Sequence, residues 1–174
     1  MKKTDLKKRL AAAALIALTT AATVVILPTP ASANPSQGYV LGVGAWEDDW
    51  TDEGPISSST FSHNNVVAMW QQILWADGNL PWSGIDCIFG PQTSAATRSW
   101  KSARGLPNDG IAGNGAFTTA SESLVPLGGN AYRYTGSSGN SVNFRRGGDG
   151  IWSMSISGDV HQLGYNFATF DKCA

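Results

Sequence analysis

The 174-residue chain is predicted to be an α+β protein, a three-helix bundle followed by a small antiparallel β tail. Three observations predict it. Apolar residues recur at helical spacing through residues 63–78, an Asp-to-Gly turn appears at Asp86 and again at Asp109, each ahead of a helical segment, and apolar and polar residues alternate from 126 onward.

The amino end comes first. Lys2, Lys3, Lys7, Lys8 and Arg9 precede an apolar run from Leu10 to Leu27, and Ala31-Ser32-Ala33 follows it, so residues 1–33 read as a secretory signal peptide with an A-x-A cleavage site. The run is long enough to span a bilayer, but Ala and Thr dilute it and a small-residue exit follows, which favours cleavage. No cysteine follows the run for a lipid anchor, and Lys8-Arg9 is no twin arginine, so general export is expected. Cleavage removes five of the 12 basic side chains and one of the 13 acids, leaving 7 against 12 and a net charge of −5. An acidic chain without a basic stripe is a poor partner for nucleic acid, and after signal cleavage it is a poor one for an anionic membrane. A single domain-sized monomer is expected. Export also permits oxidation of the two cysteines, Cys87 and Cys173, which have one intramolecular pairing. A disulfide between them is expected, and the loop of roughly ninety residues that it closes is worth about 4–5 kcal/mol in the chain-entropy account.

Residues 34–62 read as an irregular acidic arm weighted by Trp46 and Trp50, with one short half-buried strand through Tyr39, Leu41 and Val43. Its acids, Glu47, Asp48, Asp49, Asp52 and Glu53, lack the alternating spacing and central glycine of a calcium loop, and are read as solvated. A helical region is expected over 63–125. The first helix, 63–78, gathers Val66, Met69, Trp70, Ile73 and Leu74 on one face, with Ser62 as N-cap and Gly78 as its stop. Trp75 points away from that face, to be covered by another segment or offered to a ligand. The second starts at Pro91, where a missing N–H costs nothing, turns Thr93, Ala96, Thr97, Trp100 and Ala103 to one side and Arg98 and Ser102 to the other, and closes at Gly105. A third runs from Asn114 to about Leu124 on Phe117 and Leu124. In the repeated turns the Asp carboxylate accepts backbone N–H bonds, the Gly supplies the reversal, and Ile88 or Ile111 is expected to plug the core. Residues 126–174 then form a β-rich extension: Tyr132 and Tyr134, Val142 and Phe144, and Trp152, Met154 and Ile156 alternate, residues 146–150 make a hairpin connection, and Tyr165 and Phe167 mark a last strand.

From Val66 to Leu124 the sequence resembles the type 1 peptidoglycan-binding domain. The pattern V-x-x-L-Q-x-x-L-x-x-x-G is met by Val67, Trp70, Gln71, Leu74 and Gly78; D-G-x-F-G-P-x-T by Asp86, Cys87, Phe89, Gly90, Pro91 and Thr93; and A-V-x-x-F-Q-x-x-x-G-L-x-x-D-G-x-x-G by Ala96, Thr97, Trp100, Lys101, Gly105, Leu106, Asp109, Gly110 and Gly113. Trp70, Cys87, Thr97, Trp100 and Lys101 depart from the typical residues. The resemblance covers roughly 60 residues and implies a three-helix module that holds cell-wall glycopeptide, with architecture carried over more securely than affinity.

Peptidoglycan presents sugar faces, amides and free carboxylates. Trp75 and Trp82 would supply platforms, Gln72, Gln92 and Asn108 amide partners, and Arg98 a bidentate contact to a carboxylate; packing of the tryptophans against other segments and solvation of Arg98 are the plain alternatives. No catalytic centre is expected. His63, His161 and Asp159 have no zinc-binding spacing, no G-x-S-x-G elbow occurs, and no cofactor or metal is implied. The sequence thus predicts a secreted, non-catalytic peptidoglycan binder, or alternatively a secreted interaction or inhibitor protein that uses the helical module as scaffold.

Overall fold

A computed structural model describes residues 35–173, so the signal peptide expected over 1–33 lies outside the described residues. The chain is mixed α+β. Helices α1 (Asn65–Ala76), α2 (Pro91–Ser102) and α3 (Asn114–Ser121) are followed by a five-stranded antiparallel meander, β1 (Leu124–Gly128), β2 (Ala131–Thr135), β3 (Ser141–Arg146), β4 (Trp152–Ile156) and β5 (Asp159–Gln162).

α1 is capped by Asn64, whose side chain accepts the Val67 N–H, so the helix starts after Ser62 and not at it. Expecting one apolar face proved too narrow. Every residue of α1 except Trp75 is buried, polar Asn65, Gln71 and Gln72 included, because the helix is packed on two sides. Trp70 meets Trp100 of α2 and Phe117 of α3, with ring centroids 4.9 and 5.4 Å away. On the other side Asn65 Nδ2 donates to the Gln162 carbonyl at 2.8 Å and Gln72 Nε2 to that of Ser155 at 3.3 Å. α3 ends three residues early, and Leu124 opens β1 while remaining buried. Ala103, expected in the α2 face, is exposed just beyond the helix.

The sheet is no small tail. Its alternation holds as read: Tyr132, Tyr134, Val142, Phe144, Trp152, Met154 and Ile156 all turn inward and join the same core as the helices. Buried side chains of this size contribute about 1.5–3 kcal/mol each, so these seven represent 10 kcal/mol or more. The turn after β2 also closes the helix: Ser138 N–H and Oγ donate to the Ala76 carbonyl, and Ser137 N–H donates to Asp77 Oδ1 at 2.8 Å. A Cβ on Gly136 would fall 2.1 Å from the Ala76 carbonyl oxygen, so only glycine lets the turn approach. The last strand is β5; the chain at Tyr165 only touches the arm, through a bridge between Tyr39 and Gly164.

The arm corrects two expectations. Its strand parity is reversed, since Val40 is buried while Val43 is 91% exposed. Its acids are not all solvated. Asp49 and Glu53 are buried: Asp49 pairs with Arg146 at 2.6 Å and accepts Trp152 Nε1 at 2.7 Å, and Glu53 accepts the Tyr165 hydroxyl at 2.5 Å and the Leu41 N–H at 3.3 Å. Burial pushes the Glu53 carboxyl up to about 8, against the Tyr165 hydrogen bond. With Val40, Trp50 and Ile56 in the core, the arm is a strap across both layers.

Cys87 and Cys173 form a disulfide, Cα to Cα 5.1 Å, that ties the carboxyl end to the first Asp turn.

Candidate functional site

The two Asp turns share one internal geometry. In the first, Asp86 Oδ1 accepts the Ile88 N–H at 2.9 Å and Gln71 Nε2 at 2.7 Å, while Gln71 Nε2 also donates to the Ile88 carbonyl at 3.0 Å. In the second, Asp109 Oδ1 accepts the Ile111 N–H at 2.9 Å and Lys101 Nζ at 2.5 Å, while Lys101 Nζ donates to the Ile111 carbonyl at 3.0 Å. Lys101 therefore does for the second turn what Gln71 does for the first, each reaching from the preceding helix. Burial alone would raise the Asp109 carboxyl, but the hydrogen bond and charge of Lys101 and the Ile111 N–H hold it below the usual range. The middle residues sit at positive φ, +65° for Cys87 and +73° for Gly110, which explains glycine in the second copy and leaves Cys87 in an uncommon conformation clamped by its disulfide. A third copy, missed in the sequence, occurs at Asp149-Gly150-Ile151, with Ile151 N–H on Asp149 Oδ1 at 3.1 Å. Each turn is sewn to the strap: Phe89 N–H to the Ser62 carbonyl, Ile56 and Ala112 to each other, and Trp152 N–H to the Val40 carbonyl.

Ile88 and Ile111 do not plug the core. They are 47% and 37% exposed, and the inward residues are their successors, Phe89 and Ala112. The bend rotates the chain so that the residue after each Ile, not the Ile, meets the helices.

The predicted site residues fall into two groups. Trp75 is half-buried against Trp82, ring centroids 4.9 Å apart and planes inclined at 66°, and Trp82 is 37% exposed. The two rings pack on each other, and Trp82 keeps an exposed face. Gln92, exposed at the start of α2, lies beside Gly84, where an added Cβ would come 3.3 Å from its Oε1. Lys172, which the sequence reading overlooked, stands over the Trp82 ring with Nζ 5.1 Å from the centroid and donates to the Trp82 carbonyl at 3.3 Å. Only its place next to Cys173 could have signalled this. Arg98 belongs elsewhere: it is exposed and leans over Gly110, where an added Cβ would meet its guanidinium carbon at 2.9 Å. Six positions along α2, Gln92 and Arg98 differ by about 120° around the axis, so no small ligand group meets both. Asn108 is exposed just before the second turn, beside a shallow cleft of about 210 Å³ bounded by Leu106, Pro107, Ile111 and Asn114, with Lys101 and Asp109 below. Gln72 is withdrawn from the candidate set because it is buried between α1 and β4.

His161 pairs with Asp159 at 2.7 Å and stacks edge-on against Phe170, while His63 sits on the bridge to Ile88. Among the described residues no group of three His, Cys, Asp or Glu side chains is placed to hold a metal. No helix among them is long and apolar enough to cross a membrane.

Comparison with family models, curated proteins and solved structures finds no match to this chain.

Proposed function

We propose that this is an exported protein of the wall-binding class, and that its ligand is peptidoglycan glycopeptide, held without catalysis on the outer surface of the helical half. The observation that carries this reading is the pair of equivalent Asp turns, each bonded from the preceding helix and each leading into the next, in the region whose motifs resemble the type 1 peptidoglycan-binding domain. The displayed groups suit the ligand: Trp82, backed by Trp75 and with Gln92 beside Gly84, offers a ring face and an amide, and Arg98 over Gly110 and exposed Asn108 offer a cation and an amide around the second turn. The signal-peptide pattern and the disulfide both fit export.

Co-sedimentation of the oxidised mature chain with purified insoluble peptidoglycan tests it. Binding is expected, weakened about tenfold by Trp82→Ala and several-fold by Arg98→Ala, at unchanged fold by near-UV dichroism. A protein left in the supernatant, or binding indifferent to both substitutions, would overturn the reading, and release of soluble muropeptides would replace it with an enzyme.

A further inference from the structure

The sheet has two faces, and only the inner one is covered. Because side chains alternate along each strand, Arg133, Asn143, Arg145, Ser153, Ser155 and Gln162 stand on the outer face, with Val160 the one exposed apolar side chain among them on β2 to β5. Register places them as a patch. Arg133 is opposite Asn143, Arg145 opposite Ser153, and Ser153 opposite Gln162. Asn143 Oδ1 accepts Arg133 Nε at 3.0 Å and so holds that guanidinium in place.

The charged side chains at the outward positions of β2 to β5, Arg133 and Arg145, are both cationic, and one carboxylate, Asp149 of the hairpin, lines the groove beside Arg145. Neither Arg133 nor Arg145 has a carboxylate partner among the described residues. The nearby acids are turned to other tasks: Asp159 pairs with His161 on the inner side, Asp49 is committed to Arg146 and Trp152, and Asp149 at the hairpin accepts its own turn's N–H. Two shallow grooves, of about 390 and 190 Å³, adjoin on β3 and β4 where they share Arg145 and Ser153, with Arg133 on the next strand outside both.

We infer that this outer face is a docking surface for a linear polyol-phosphate polymer, a chain of phosphodiesters joined by short hydroxylated carbon segments. Arginine forks match phosphate oxygens bidentately, and Asn143 beside them with Ser153 and Gln162 in line beyond Arg145 match polyol hydroxyls. The spacing agrees. Arg133 and Arg145 are diagonal neighbours on adjacent strands, with Cβ atoms about 7 Å apart, and three backbone bonds span about 3.5 Å, so a six-bond phosphate repeat extends about 7 Å. The outer face carries no aromatic ring on β2 to β5. It therefore offers neither the stacking platform that single-stranded nucleic acid uses nor one for sugar rings.

The probe is purified poly(glycerol phosphate), titrated into the oxidised mature chain across a range of salt. Binding is expected whose log affinity falls with log salt at a slope near −1.4, two phosphates at about −0.7 each for a flexible single strand. The double variant Arg133→Gln/Arg145→Gln should bind at least tenfold more weakly while its circular dichroism and its co-sedimentation with polymer-free peptidoglycan stay as in the parent. No binding at low salt, binding that survives the double substitution, or equal affinity for a polyuronate or single-stranded DNA would each overturn the inference. Polymer-free peptidoglycan is read on the helical half, so the two proposals fail separately.

Discussion

Glu53 provides the sharpest physical test. Its carboxyl is buried beneath the strap with Tyr165 and the Leu41 N–H as partners, and its folded pKa is about 8 against 4.5 for the free side chain. Between those values the folded chain holds a proton that the unfolded chain releases, so stability present below pH 4.5 is lost progressively as pH rises toward 8 and is level above it. Each unit costs about 1.4 kcal/mol, which makes the penalty at pH 7 about 3 kcal/mol, a large part of the 5–15 kcal/mol typical of a domain. Asp49, raised by burial despite Trp152 and Arg146, acts in the same direction. Asp77 acts in the opposite sense: burial alone would raise it, but the Tyr134 hydroxyl, the Ser137 N–H, the Trp100 indole and Arg104 hold it low, so its contribution is lost only as pH falls below the ordinary carboxylate range. Glu53→Gln removes the titration while its Oε1 still accepts the Leu41 N–H and its amide N–H donates to the Tyr165 hydroxyl oxygen in place of accepting from it. Urea unfolding followed by tryptophan fluorescence, with the disulfide intact, should show the parent midpoint falling from pH 5 to pH 8. The Gln variant should stay nearly level and exceed the parent at pH 8. A parent midpoint that is flat or rises over this interval would refute the reasoning.

Three further outcomes follow from the packing. Gly136→Ala should cost 3 kcal/mol or more, read as a lowered unfolding midpoint, because the added methyl meets the Ala76 carbonyl at 2.1 Å and the backbone on both sides must move. Truncation after Leu127 should leave a chain without cooperative unfolding, since it removes the inward side chains of β2 to β4, the caps on α1 and the disulfide partner; a cooperative melt of the fragment would make the sheet an accessory after all. Lys101→Gln, which copies the amide of the first turn, should cost less than about 1 kcal/mol in urea unfolding. Lys101→Leu strips Asp109 and the Ile111 carbonyl of their partner and should cost about 1–3 kcal/mol.

What the sequence disclosed was local or periodic. The start of α2 at Pro91, the core of α1, the inward set of β2 to β4 and the repeated turn each depend on residues a few positions apart. The disulfide was legible because two cysteines leave one pairing. The strap was not legible, because Asp49 and Glu53 find their partners near the far end of the chain, at Arg146, Trp152 and Tyr165. The outward turn of Ile88 and Ile111 was hidden because neither helical nor strand period applies inside a bend. Of the candidate site, residue identities were readable and their grouping was not: the angle between Gln92 and Arg98 on α2, and the arrival of Lys172 over Trp82, exist only once the helices and the disulfide are placed.

Three of the five residues that depart from the peptidoglycan-binding motifs, Trp70, Thr97 and Trp100, are joined by contacts. Trp70 Nε1 donates to Thr97 Oγ1 at 2.9 Å, Trp70 packs edge-on against Trp100, and Trp100 Nε1 donates to Asp77 Oδ2 at 2.6 Å, where the Tyr134 hydroxyl from β2 also arrives at 2.5 Å. Three of the unusual residues therefore touch one another and lead through Asp77 into the sheet. A helical module standing alone has no need of that chain of contacts; one carrying a five-stranded sheet on its first helix does. Substitutions within such a chain should not act independently. Trp70→Leu leaves the Thr97 hydroxyl without its indole donor, and Thr97→Val leaves the Trp70 N–H unpaired in the core at about 1–3 kcal/mol, whereas the two together remove donor and acceptor at once. Their combined cost in urea unfolding should fall short of the sum of the single costs by 0.5 kcal/mol or more. Additivity would mean that the unusual residues arose separately and that the sheet is joined to the helices by other contacts.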